Sequence, residues 1–105
     1  MSEYDSGLTP EEAASNEEAE KKAKRQRTRE LEDIKAVMSA IEGRRVLWAM
    51  LDSAGVFTTS FTGDTNTTIF NEGRRNGGLR LYSDIMESCP SLFLQMAAEA
   101  KEQKE

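Results

Sequence analysis

Apolar positions along the chain recur at helical spacing, and the first thirty residues carry almost none of them. Leu31, Ile34, Met38 and Ile41 follow a 3-4-3 spacing with Val37 beside them, which is the stripe of an amphipathic helix. Fewer than two heptads are present, so the pattern predicts a docked helix and not an extended coiled coil. Upstream, Thr9-Pro10-Glu11-Glu12 has the residues of a helix start: a hydroxyl for an orphan N–H, Pro in the first turn, and Glu three residues after the cap. Ala and charged residues bridge positions 10–30 without a breaker. The pattern therefore permits one helix from about 10 to 42, its first half projecting from the body, after a disordered arm at 1–8.

Gly43 interrupts, and a second helix resumes at Arg44-Arg45-Val46-Leu47-Trp48-Ala49-Met50-Leu51. Leu47, Met50, Leu51 and Ala54 share one face, and Gly55 stands where a left-handed C-terminal cap belongs. Residues 55–64 are rich in Thr and Ser and read as an extended loop pinned by Phe57 and Phe61, with room for one short strand. A third helix is expected from near Asp64 to about Ser88, with Phe70, Gly73, Gly77, Leu81 and Ile85 on one stripe. Each Gly costs roughly 1 kcal/mol against Ala in a helix. Gly73 and Gly77 are therefore expected where another backbone comes close, and Gly78 predicts a kink or break near 77–78. Pro90 ends this helix and starts a last one anchored by Leu92, Phe93, Met96, Ala97 and Ala100. The expected fold is all-α: a long N-terminal helix with a charged lead-in, then a compact bundle of about three further helices.

Composition narrows the chemistry. The chain has 105 residues, 14 Lys+Arg against 19 Asp+Glu, a formal net charge of −5, no His and one Cys. Imidazole metal sites, His-based triads and Cys-rich zinc sites are excluded, as is an internal disulfide. A reducing compartment is expected, and no stretch approaches the ~20 apolar residues of a membrane span. Residues 1–30 hold no aliphatic side chain larger than Ala except Leu8 and no aromatic except Tyr4. They read as a charged arm, disordered to helical, preceding a small helical domain at 31–105. A body of this size, without disulfide or metal, is marginal alone, which points to oligomerisation or docking on a larger partner.

Several local patterns bear on function. Acidic Glu11, Glu12, Glu17, Glu18 and Glu20 precede basic Lys21, Lys22, Lys24, Arg25, Arg27 and Arg29. This order suits the helix dipole and i,i+4 pairing. The basic stretch is a candidate contact for DNA or an acidic partner. The adjacent acids compete for its charge, and it lacks the aromatics that stack on bases. Asp64-x-Asn66-x-Thr68 begins like a calcium loop, but the sixth and twelfth positions are Ile69 and Arg75, so helix capping is the expected role. Glu-Gly-Arg-Arg occurs twice, at 42–45 and 72–75. Arg44, Arg45, Arg74 and Arg75 are expected at helix crossings, pairing with Glu42 or Glu72, or as forks presented to a partner. Trp48 and Phe70 are further packing or interface candidates. Cys89 reads as a buried structural thiol. No nucleophile frame or phosphate loop appears, so no catalytic residue, metal or cofactor is expected.

Gly43-Arg44-Arg45-Val46-Leu47-Trp48, Gly55-Val56-Phe57, Ser60-Phe61-Thr62-Gly63, Phe70-Asn71-Glu72-Gly73-Arg74-Arg75-Asn76, Cys89-Pro90 and the Leu92–Met96 block together carry a resemblance. They resemble the Bordetella-phage-type family of small proteins encoded among the capsid, portal and tail genes of short-tailed phages. The resemblance covers roughly residues 41–100 and leaves 1–30 outside. It implies a phage protein of virion assembly and supplies no catalytic residue. Combined with the small core, it predicts a non-enzymatic virion or morphogenesis protein. Such a protein would self-associate or dock on portal, tail or internal-core proteins, in the virion or the cytoplasm of the infected host. The alternative is a small phage-encoded regulator that binds nucleic acid or a host protein through 21–29.

Overall fold

The computed structural model describes residues 7–59 and 63–103. They form α1 (Pro10–Met38), α2 (Ile41–Ser53), α3 (Thr65–Ser88) and α4 (Pro90–Gln103), with no strand among the described residues. The fold is all-α. The chain divides into two units, Met1–Glu30 and Leu31–Glu105.

In the first unit, the Glu12 N–H donates to Thr9 Oγ1 at 3.1 Å, and Pro10 is the first helical residue. Glu11 and Glu12 occupy the first turn, where the helix dipole favours carboxylates. From residue 7 to residue 30 every side chain is exposed except the half-buried Arg27. A helix with no apolar stripe has nothing to bury, as the composition of this segment requires.

The second unit begins with the last two turns of α1. The helix does not run on to 42. The Ser39 N–H still reaches Lys35 O at 3.0 Å, but the Ser39 hydroxyl also donates to that carbonyl at 2.7 Å, and Ala40 is extended (φ −106°, ψ 141°). A hydroxyl satisfying a last-turn carbonyl and an extended residue end the helix together. Nor is Gly43 the break, for it lies inside α2. It faces the end of α1 so closely that a Cβ there would sit 1.9 Å from Val37 O. The missing side chain lets the two helices turn back on each other.

α2 packs on α3 and α4, and α3 packs on α4. Met38, Leu51, Ile85 and Met96 are fully buried, with Val56 and Cys89 beside them. Ile34, Leu47, Trp48, Leu81, Tyr82, Leu92 and Phe93 pack around this centre. α2 is closed by Gly55 at φ 79°, as its position after the last turn predicted. The Val56 N–H then reaches back to Leu51 O at 3.2 Å, which turns Val56 into the core. Ala54 and Val56 press on Gly78, where a Cβ would lie 2.6 Å from a carbon of each. α3 runs through 77–78 as one helix, so there is no break there. Gly78 instead accommodates the end of α2, and that packing holds its backbone helical.

Asp64 caps α3 by accepting from the Thr67 N–H at 2.9 Å and from the Thr67 hydroxyl. At the other end, the Ser88 hydroxyl donates to Leu31 O at 2.6 Å, tying the end of α3 to α1. Cys89 leaves the helical region and Pro90 opens α4, as expected. In the connection after α2, Phe57 stacks on Trp48 with centroids 4.7 Å apart. Phe61, the other expected anchor, lies outside the described residues.

Candidate functional site

Of the four paired arginines, Arg44 lies deepest, 6% exposed. Its Nε and Nη2 donate to Glu99 Oε1 and Oε2 at 2.8 and 2.9 Å, and its Nη1 donates to Met38 O at 2.8 Å. The partner is therefore on α4 and is neither Glu42 nor Glu72. The hydrogen bonds with Glu99 raise the Arg44 pKa above its ordinary value. The same bonds hold the Glu99 carboxyl below the usual carboxylate range, against partial desolvation. Asp64 is likewise lowered, chiefly by the Thr67 hydroxyl and then by the Thr67 N–H. These groups are held in their charged forms by structural hydrogen bonds.

Arg45 is exposed on α2, and its charge also favours ionised Glu99. Arg74 extends over the Phe70 ring, 6.0 Å from its centroid, and Nη2 is 3.5 Å from Asn71 Oδ1. Arg74 also forms one wall of an open groove of about 590 Å³ whose other wall is Val46, Ala49, Met50, Ser53 and Ala54 of α2 and its end. Arg75 is half-buried, and its Nε has no hydrogen-bond partner among the described residues. Trp48 belongs to the core, between Phe57 and Phe93, with Tyr82 edge-on to Phe93 at 5.1 Å. Phe70 by contrast is 68% exposed.

Gly73 and Gly77 do not provide the expected close approach within this chain: no atom lies within 4 Å of a Cβ at either position. Gly43 and Gly78 provide it. In the first unit the basic residues are exposed apart from half-buried Arg27, which pairs with Glu30 at 3.4 Å. Lys21, Arg25 and Arg29 recur every four residues on one side of α1 with Lys22 and Lys24 flanking them, while Arg27 lies round the other side.

Cys89 is buried, 5% exposed. Among the described residues no group of three or more Cys, Asp or Glu side chains is placed to hold a metal ion. What the surface does present is apolar: Val46, Met50, Ile69, Phe70 and Leu94 are each more than half exposed. The sequence reading missed Glu99. Its place three residues after Met96 and one before Ala100, both buried, puts a carboxylate at the edge of the inward stripe of α4, and that was the available signal.

These features define a small all-α protein with a charged helical lead-in and, among the described residues, no helix long and apolar enough to cross a membrane. It is a phage protein: residues 34–98 match the model of the Bbp19-like phage protein family, and the chain belongs to that family. The match begins in the last turns of α1 and runs into α4, leaving the charged segment outside. No curated protein and no solved structure matches the chain.

Proposed function

We propose that this chain is a non-enzymatic virion or morphogenesis protein, acting by protein contact in the particle or in the infected cell. It self-associates or docks on a portal, tail or internal-core protein. The observation that supports this best is that Val46, Met50 and Phe70 are each more than half exposed on a body whose fully buried large side chains are Met38, Leu51, Ile85 and Met96. A core this small gains stability when a partner covers such side chains. The buried charges support the same reading, because Arg44 and Glu99 neutralise each other and serve packing. The test is a nonsense allele of the gene in the phage that carries it. Particles should then be defective or incomplete by electron microscopy, and unaltered particles with full infectivity would refute an assembly role.

The regulator reading rests on one observation, the exposed row Lys21, Arg25 and Arg29. A chain working that way binds duplex DNA with a steep loss of affinity as salt rises, in proportion to the phosphates it neutralises.

A further inference from the structure

The solvent side of α2 carries Glu42, Val46, Ala49, Met50 and Ser53, all exposed, opposite the buried Arg44 and Leu51. Its two flanks differ in chemistry. Arg45 and Asp52, seven residues apart, lie along the edge nearer α4, where Arg45 lines a small pocket with Met96, Glu99 and Gln103. Met50 lies along the other edge, toward Arg74, and Arg74 leads on to the exposed Phe70. The centre of the stripe is Ala49 and Ser53, small enough for another helix to come close.

The geometry points to a second copy of this chain as the occupant of this face, packed with its α2 antiparallel to the first about a two-fold axis near Ala49. In such an isologous pairing like flank meets like flank. Arg45 of each copy then faces Asp52 of the other, and the apolar Met50 edges meet, with Phe70 and Arg74 closing the outer side. A parallel arrangement sets the charged edge against the apolar one and loses both matches. An unrelated partner requires no such self-complementary order along one helix. Val46, Met50 and Phe70 are each more than half exposed, and an interface of the standard ~800 Å² per partner would cover them together with the polar residues of the same face. This deepens the assembly reading and rests on it for its biological sense. The pairing is read on the purified protein and the assembly role in particles, so either can fail without the other.

The experiment is sedimentation velocity of the purified full-length chain across micromolar concentrations, with circular dichroism to check folding. The wild type should form a dimer. Arg45→Asp and Asp52→Arg should each weaken it by at least about tenfold, because each sets like charges face to face at both contacts. An equimolar mixture of the two variants should restore dimerisation as a heterodimer, since all facing charges are then opposite. Ala49→Cys should oxidise to a covalent dimer faster than Ser83→Cys on the exposed side of α3, and this readout does not depend on the charge variants folding. A monomeric wild type, a mixture no more associated than its components, or equal cross-linking at 49 and 83 would each overturn the proposal.

Discussion

Arg44 and Glu99, 55 residues apart, meet in a bidentate ion pair, Nε to Oε1 at 2.8 Å and Nη2 to Oε2 at 2.9 Å. The third arm of the same guanidinium holds Met38 O at 2.8 Å. One side chain on α2 thereby satisfies a carbonyl in the last turn of α1 and fixes α4. A Lys, with a single point of charge, cannot reproduce the fork.

Arg44→Ala removes the donor to the Met38 carbonyl and leaves Glu99 with only the Gln95 amide at 3.4 Å. The melting temperature should fall on the order of 10 °C, with Arg44→Lys recovering only part of the loss. Thermal circular dichroism checks this. Melts of the two variants that coincide with the wild type would show that the pair contributes nothing net.

Acid should weaken the fold through two named groups. Glu99 and Asp64 both have pKa values lowered in the folded state, by Arg44 and by Thr67 respectively. Their contributions are fully present above the ordinary carboxylate value of ~4.3 or ~3.9 and are lost as pH falls through the lower, folded values. Glu99→Gln and Asp64→Asn should each flatten the decline of stability below about pH 4. Arg44 has the opposite sign, its contribution being lost only as pH rises through a folded value above the ordinary guanidinium range, so it adds no slope near neutrality. Urea unfolding at a series of pH values reads these slopes.

Glycine replacements should separate into two groups. Gly43→Ala meets the Val37 carbonyl at 1.9 Å and should cost more than the ~1–3 kcal/mol of ordinary overpacking. Gly78→Ala, with carbons of Ala54 and Val56 at 2.6 Å, should fall within that range. Gly73→Ala and Gly77→Ala meet nothing and should each stabilise by up to about 1 kcal/mol through helix propensity. Chemical denaturation of the four variants gives the order.

Trp48 is the only tryptophan in the chain, and Phe57 covers one side of its ring. Phe57→Ala should shift the tryptophan emission to the red and cost about 1 kcal/mol or more in stability. Unchanged emission would show that the connection after α2 does not shield the ring.

Helix content, the Asp64 cap, the Gly55 turn and the Pro90 start were legible because each depends on neighbours within four residues. The break at Ser39–Ala40 was not, since no Pro or Gly marks it: a Ser hydroxyl and the fold-back onto Gly43 decide it. The glycines show the same limit. The i,i+4 spacing singled out Gly73 and Gly77, but which glycine meets a neighbour depends on where α1 and the end of α2 pass, and that selected Gly43 and Gly78. Glu42 and Glu72 stand beside the paired arginines in sequence, yet the partner of Arg44 is on α4, because a carboxylate at the edge of a buried stripe looks in sequence like any surface Glu. The exposed faces of α2 and α3 follow from the same helical periodicity, yet only packing shows that Val46, Met50 and Phe70 are left uncovered.

The measurement that bears most directly on the account is quantitative mass spectrometry of gradient-purified particles of the phage that encodes this chain, or of its assembly intermediates. The account predicts the protein in one of these at a fixed copy number compatible with particle symmetry. Its absence from both particles and intermediates, or a copy number that varies freely between preparations, would contradict it.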